Sequence, residues 1–230
     1  MNVIAYTCLH YGEDFLGYAI RSVIDYVDEY YVIYSPTGSH GHRTDQPCPD
    51  SMERLYEIAK RAAGDKLVWY AGEFPYEGAQ RDYIHVLAPD ADVILVLDSD
   101  EVYADGLAAE SIEFAQVAGV QRIRLPFLHL WRSFHRGFAH DPAYPERVIC
   151  PKILDGETTM PTDKRVWHFG YCQRSEVVRY KLLTHGHHNE FRRDVDWFQD
   201  KFMLNAQEDC HPIGSEWWNC EDIDQGDLPS

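Results

Sequence analysis

The sequence predicts a doubly wound α/β domain, on three observations. Four short, apolar, β-rich runs alternate with helical periodicities over the first hundred residues. The last of these runs, 93–97, is apolar at every position, as expected of a strand covered on both faces of a parallel sheet. An acidic triplet, Asp98-Ser99-Asp100, follows it directly, at the strand end where open α/β sheets bind their ligands.

The elements follow in order. Residues 3–8 read as a buried strand. Phe15, Leu16, Ala19, Ile20, Val23, Ile24 and Val27 recur at helical spacing and predict a helix over 15–27. The β-rich stretch 30–34 is the second strand, and a polar loop, 35–44, follows it with Gly38 and Gly41. Asp50 and Glu53 stand at capping-box spacing before a helix whose apolar stripe is Met52, Leu55, Tyr56, Ile58, Ala59 and Ala62. A third strand, 66–70, and a helix over 78–87, stopped by Pro89, lead into the fourth strand. Beyond residue 105 the order changes to a helix at 107–117, strand-like runs at 121–125, 127–134 and 147–154, and helices at 175–183 and 194–206, each of the last two opened by an N-cap residue. The expected organisation is one domain over 1–205, made of halves 1–105 and 106–205. An acidic tail, 206–230, carries Gly226 and Pro229 and is expected to be disordered.

Of the 230 residues, 45% are hydrophobic, enough for a sizeable core without disulfide staples. The six cysteines are scattered with no C-x-x-C pair, which argues against a zinc knuckle or redox pair and for reduced, mostly buried thiols. No run approaches the roughly twenty apolar residues of a membrane span. The start lacks a basic region and a cleavable apolar segment, so a cytoplasmic protein is expected. The net charge of −17 disfavours general nucleic-acid affinity, but it is uneven: residues 1–120 carry −14, 121–204 carry +4, and 205–230 carry −7. The basic middle third can meet an anionic ligand locally, or form an ordinary solvated face.

Asp98 and Asp100, one residue apart on a turn, can face one hard cation. Mg²⁺ and Mn²⁺ accept carboxylate oxygens and share their remaining positions with substrate phosphates and water. Such an ion neutralises a diphosphate leaving group. The alternative is an acidic turn that only caps the next helix. The cluster His185-Gly186-His187-His188 lacks the spacing of a helical zinc site and reads as a loop near substrate or a plain exposed turn.

Ile94-Leu95-Val96-Leu97-Asp98-Ser99-Asp100-Glu101 resembles the D-x-D segment of family 2 and related GT-A glycosyltransferases. The opening strand and helix are similar to that family's first unit. Glu77-Gly78-Ala79-Gln80-Arg81-Asp82 resembles the stretch where these enzymes place an Arg near the nucleotide, and Trp167-His168-Phe169-Gly170-Tyr171 resembles their late His-x-x-Tyr segment. The resemblance covers most of 1–205 in element order and has no counterpart for the tail. It implies a GT-A (Rossmann-like) nucleotide-sugar-binding sheet with helices on both faces and a mixed α/β acceptor half. It further implies Asp100 as principal metal ligand, Asp98 on the ribose or on the metal through water, and His168 as a late metal ligand, with Mn²⁺ or Mg²⁺ as cofactor and a UDP-sugar as donor. Arg81 is expected on the diphosphate or base, or else in a surface salt bridge. His168 is alternatively a core histidine. Thr7, Ser35 and Thr37 lie where the base would be contacted, and the 35–44 loop is placed to fold over it.

Inverting transfer requires a carboxylate base. Asp141 is the candidate, with Glu146 and Asp163 in the same part of the chain; each is otherwise a turn residue. The acceptor is open, one option being a glycan or a lipid-linked saccharide. The stretch 35–44 also resembles glycosyltransferase-like proteins of tailed phages, which implies a hydroxymethylated base in phage DNA as a second acceptor, in the host cytoplasm. Arg122, Arg124, Arg132 and Arg136 would then meet phosphates, and Trp131 an extruded base. Two other readings stay open. A metal-dependent nucleotidyltransferase or phosphohydrolase would use the same carboxylates, although the chain has no G-x-x-x-x-G-K-[ST] cradle. A non-catalytic nucleotide-sugar-binding module would keep the fold.

Overall fold

The structure is a computed structural model that describes residues 1–38, 44–138, 144–184, 196–208, 210, 212 and 219–223. Its first half runs β1 (Val3–Leu9), α1 (Leu16–Val23), β2 (Glu29–Tyr34), α2 (Met52–Ala63), β3 (Leu67–Ala71), α3 (Glu77–Asp82), α4 (Ile84–Leu87) and β4 (Val93–Val96). The second half runs β5 (Glu101–Tyr103), α5 (Leu107–Ala118), β6 (Arg122–Arg124), β7 (Phe127–His129), β8 (Arg136–Gly137), β9 (Glu146–Ile149), β10 (Glu157–Thr159), β11 (Val166–His168), α6 (Ser175–Thr184) and β12 (Glu221–Asp222).

Seven strands form the main sheet in the order β10-β6-β9-β4-β1-β2-β3. All run parallel except β9, which is antiparallel to both its neighbours. The chain winds outward from β1 through β2 to β3, then returns to place β4 on the other side of β1. That reversal opens a crevice at the carboxyl ends of β1 and β4. Helices cover both faces. Leu16, Ala19, Ile20 and Val23 of α1 and Leu55 and Ala59 of α2 pack on the face that carries Ala5, Leu95 and Val148. Ile84 and Ala88 close the other face against Ile4, Tyr6, Ile94 and Val96. Each fully buried Val, Leu or Ile contributes about 1.5–3 kcal/mol.

The α/β class and the four predicted strands agree with the structure, and the differences have local causes. The helix expected over 78–87 is two short helices, because the Tyr83 amide bonds back to Gln80 O at 3.3 Å and the Tyr83 ring packs on Tyr70. Ser51, not Asp50, caps α2, its hydroxyl accepting from the Arg54 amide at 3.2 Å. The run 127–134 stops after β7, where Arg132 takes φ 52° and the chain doubles back. Of the helix expected over 194–206, residues 194 and 195 lie outside the described residues, and the rest holds a π-helical turn, Phe198–Met203.

Five strands escaped the sequence reading. They are β5 and β11, which join β7 in a second small sheet, β8 and β12, which form a third, and β10, which extends the first. At two or three residues each, they are too short to show a period. The tail is not wholly disordered. Cys210 is buried among Trp131, Phe138, Trp197 and Phe202, the Trp197 indole donates to Cys210 O at 2.6 Å, and β12 pairs with β8. All six cysteines are free; Cys150 and Cys210 are buried, the other four half-buried. No helix among the described residues is long and apolar enough to cross a membrane.

Candidate functional site

The site grows from the ends of β1 and β4. Leu97 continues the ladder by donating to Tyr6 O at 3.0 Å, and the chain then turns, with the Glu101 amide on Asp98 O at 3.1 Å. The loop after β1 passes so close that Ser99 donates to Tyr11 O at 3.1 Å. Gly12, at φ +140°, faces Ser99, and a Cβ there would lie 2.1 Å from Ser99 Oγ. Only glycine allows this approach. β11 then pairs antiparallel with β5, opposing His168 to Glu101, and the Phe169 amide donates to Asp100 O at 2.7 Å. These contacts bring His168 and the acidic turn to one cleft of about 460 Å³, which Tyr11, Thr37, Gln80, Arg81, Arg147 and Lys181 also line.

On one side of the turn, Asp98 is held between two guanidinium groups. Arg81 donates to Oδ1 at 2.7 Å and to Glu77 Oε1 at 2.8 Å through its Nε. Arg147 reaches Asp98 Oδ2 at 3.3 Å and grips Glu101 with two bonds, at 2.7 and 2.5 Å, while its guanidinium lies 5.0 Å above the Phe127 ring. Burial works to raise the Asp98 carboxyl, but Arg81 and Arg147 outweigh it and bring it down to about 2. Burial wins at Glu101, which is 1% exposed and is pushed above the usual range despite Arg147.

On the other side, Asp100 is 6% exposed. Its Oδ2 accepts from Gln173 Nε2 at 2.9 Å and from Lys181 Nζ at 3.2 Å, and its Oδ1 lies 3.5 Å from His168 Nε2. Burial opposes ionisation here too, yet Lys181 and His168 hold the carboxyl well below the usual range. The His168 ring stands edge-on to His129 at 4.3 Å, and its buried Nδ1 has no hydrogen-bond partner among the described residues. Gly170 lies beneath the group: a Cβ there would come within 2.6 Å of His168 Cε1 and 3.1 Å of Lys181 Nζ.

The loop after β1 is fixed by Asp50, which accepts from the Gly12 and Glu13 amides at 2.7 and 2.9 Å and pairs with Arg174 at 2.5 Å. Arg174 also clamps Asp14 at 2.7 Å and so ties the start of α6 to the same loop. His10 bonds Ser35 O through Nδ1 at 2.9 Å. The carbonyl can only accept, so Nδ1 carries the proton and Nε2 accepts from the Tyr180 hydroxyl at 2.8 Å. Burial lowers the His10 pKa and favours this neutral form.

The predicted residues divide accordingly. Arg81, Asp98, Asp100, His168 and Thr37 line the cleft. Thr7 is fully buried with its hydroxyl 2.5 Å from Tyr30 Oη, and Ser35, 2% exposed, bonds back to Thr37; neither lines the cleft. Arg81 pairs with Asp98 and Glu77 rather than Asp82. Asp141, the 185–188 histidines and residues 39–43 of the 35–44 loop lie outside the described residues. Sequence reasoning missed Arg147, Gln173, Lys181 and Asp50. Asp50 stood out only as a candidate helix cap, and Arg147 only as the first residue of a strand-like run.

The donor set suits Mg²⁺ or Mn²⁺ in a particular way. Asp100 and His168 supply one carboxylate and one imidazole on the same cleft wall, whereas both Asp98 oxygens are on guanidinium groups. Among the described residues no group of three or more His, Cys, Asp or Glu is disposed to hold a metal. Mg²⁺ is commonly held by one or two protein carboxylates, with the remaining positions left to phosphate and water.

Neither a protein-family model nor a curated relative matches the sequence. Among solved structures, the chain is similar to glucosyl-3-phosphoglycerate synthase from Mycobacterium tuberculosis in complex with Mn²⁺, UDP and phosphoglyceric acid. That match has 16% identity and a TM-score of 0.38, and covers 58% of this chain and 44% of the other. A mycobacterial protein matches at 17% identity and a TM-score of 0.39, covering 57% and 42%. S. aureus TarS 1-349 matches at 10% identity and a TM-score of 0.46, covering 88% and 71%. The chain thus spans less than half the length of the two mycobacterial structures. Overlaps this loose carry no function over to it.

Proposed function

We propose that the chain is a metal-dependent GT-A-type glycosyltransferase that moves a sugar from a nucleotide-sugar donor, a UDP-sugar, to an acceptor hydroxyl. The observation that carries this reading is the acidic turn at the β1/β4 crevice, where Asp100 and His168 share one cleft wall ringed by Arg81, Arg147 and Lys181. A crevice at a strand-order reversal is where a nucleotide fits, and clustered cations suit a diphosphate. Asp100 and His168 would hold Mn²⁺ or Mg²⁺, which supplies positive charge to the departing diphosphate. Asp98, fixed by Arg81 and Arg147, presents an oriented carboxylate to a ribose hydroxyl. Thr37, at the cleft margin, is assigned to the base. Asp141, a few residues before the cleft-lining Pro145, is the candidate base for the acceptor proton, and the acceptor is a glycan or a hydroxymethylated base in DNA.

The test is a thermal-shift screen of UDP-, GDP-, CDP- and TDP-sugars, with and without Mn²⁺, on the wild type and Asp100→Ala. A ligand that binds only the folded state raises Tm; at a hundredfold excess over Kd it adds about 2.7 kcal/mol. The expected outcome is a Mn²⁺-dependent shift with one nucleotide sugar, absent from the folded variant. No shift with any nucleotide sugar would overturn the reading.

A further inference from the structure

Among the described lysine and arginine side chains that line the cleft, Lys181 is the one that contacts the carboxylate assigned to the divalent cation. The ammonium lies 3.2 Å from Asp100 Oδ2, on the carboxylate assigned to the divalent cation. Both side chains are largely shielded, at 18% and 9% exposure, so the charge of each matters to the other. Arg81 and Arg147 are each tied to two carboxylates, whereas Asp100 is the only carboxylate ion-paired with Lys181 among the described residues. A lysine stem is also flexible, and its ammonium acts as a point charge without the fixed fork of arginine.

We propose that Lys181 is a built-in counter-cation of Asp100, and that the incoming divalent ion displaces it onto the diphosphate of the donor. This rests on the glycosyltransferase reading and adds a positioning residue with a defined consequence: cation and nucleotide bind as a pair. A divalent ion arriving alone meets a carboxylate already neutralised, and it adds two positive charges beside a third in a shielded cleft. A diphosphate arriving with it offsets that excess and gives the ammonium a new partner. Gly170 leaves the room, since any Cβ there would crowd both His168 and Lys181. By linkage, whatever the nucleotide adds to cation affinity the cation returns to nucleotide affinity.

The experiment measures Mn²⁺ binding by electron paramagnetic resonance of the free ion and UDP binding by calorimetry, each alone and in the presence of the other. In the wild type, UDP is expected to tighten Mn²⁺ by at least about tenfold, equivalent to about 1.4 kcal/mol. In Lys181→Gln, Mn²⁺ alone binds more tightly than in the wild type, UDP with Mn²⁺ binds more weakly, and the coupling shrinks towards unity. Lys181→Arg, which keeps the charge, retains weak binding of Mn²⁺ alone. Wild-type coupling near unity overturns the proposal without any variant, and so does a Lys181→Gln protein that binds Mn²⁺ alone no better than wild type. Wild type that binds neither UDP nor Mn²⁺ overturns the glycosyltransferase reading along with it.

Discussion

Asp98 and Asp100 stand one residue apart on the same turn and live in opposite surroundings. Asp98 is fixed by two guanidinium groups that are themselves fixed by Glu77 and Glu101, so Asp98, Arg81 and Arg147 each have two oppositely charged partners. Asp100 is held by one ammonium, one amide and one imidazole, and among the described residues Nδ1 of that imidazole and Oε1 of that amide have no partner. A closed network resists change, because removing any member strands a buried charge; an open one can exchange a partner for a ligand. The first side serves as the frame of the site and the second as its working edge.

The sharpest way to break this comparison is Arg147→Met. It leaves the buried Glu101 and one oxygen of Asp98 without their cation, and the expected loss is about 3–5 kcal/mol in urea unfolding. Asp100→Asn, scored in the same assay, is expected to cost less than half as much. Equal losses would erase the distinction between frame and edge.

Acid titration gives a smaller effect. The Asp98 carboxyl lies at about 2 in the folded protein against 3.8 for the free group. A depressed carboxylate stabilises the fold above its unfolded pKa, and that contribution is lost as pH falls through the folded value. Stability therefore drops between pH 3.8 and about 2, by about 2 kcal/mol from Asp98. Asp100, also held below its usual value, adds to the acid loss as it protonates, whereas Glu101, raised above its usual value, recovers a little stability as it protonates. Asp98→Asn should flatten the slope in that window when urea midpoints are compared across it.

The smallest expected effect concerns Thr7. Thr7→Val removes the hydroxyl contact with Tyr30, costs about 1 kcal/mol, and leaves UDP affinity unchanged by calorimetry. A weakened UDP affinity would return Thr7 to the binding residues that the sequence suggested.

What could be read in advance follows a physical line. The apolar strands and the acidic turn were legible because a wholly buried strand admits no polar residue and must end where one appears. The cap of α2 was misplaced by one position because Asp50 and Ser51 serve a helix start equally well, and the demand of the Gly12 and Glu13 amides decided between them. Lys181 and Gln173 were invisible because nothing in their local sequence reports a partner more than seventy residues away.

The position of β1 in the sheet governs when the site can exist. β1 pairs with β4 at Val3 and Val93, and His168 joins only when β11 docks on β5. Closing such long loops costs entropy before any contact rewards it, so parallel sheets of this kind form slowly. A chain emerging from the ribosome therefore first carries a cleft wall, Cys8, Leu9, His10, Tyr11 and Thr37, without its charged residues. Its first seventy residues can fold β1 to β3 while both carboxylates and both of their cationic sides are still unmade, so a ligand that needs Asp100 and His168 together would report that β11 has docked.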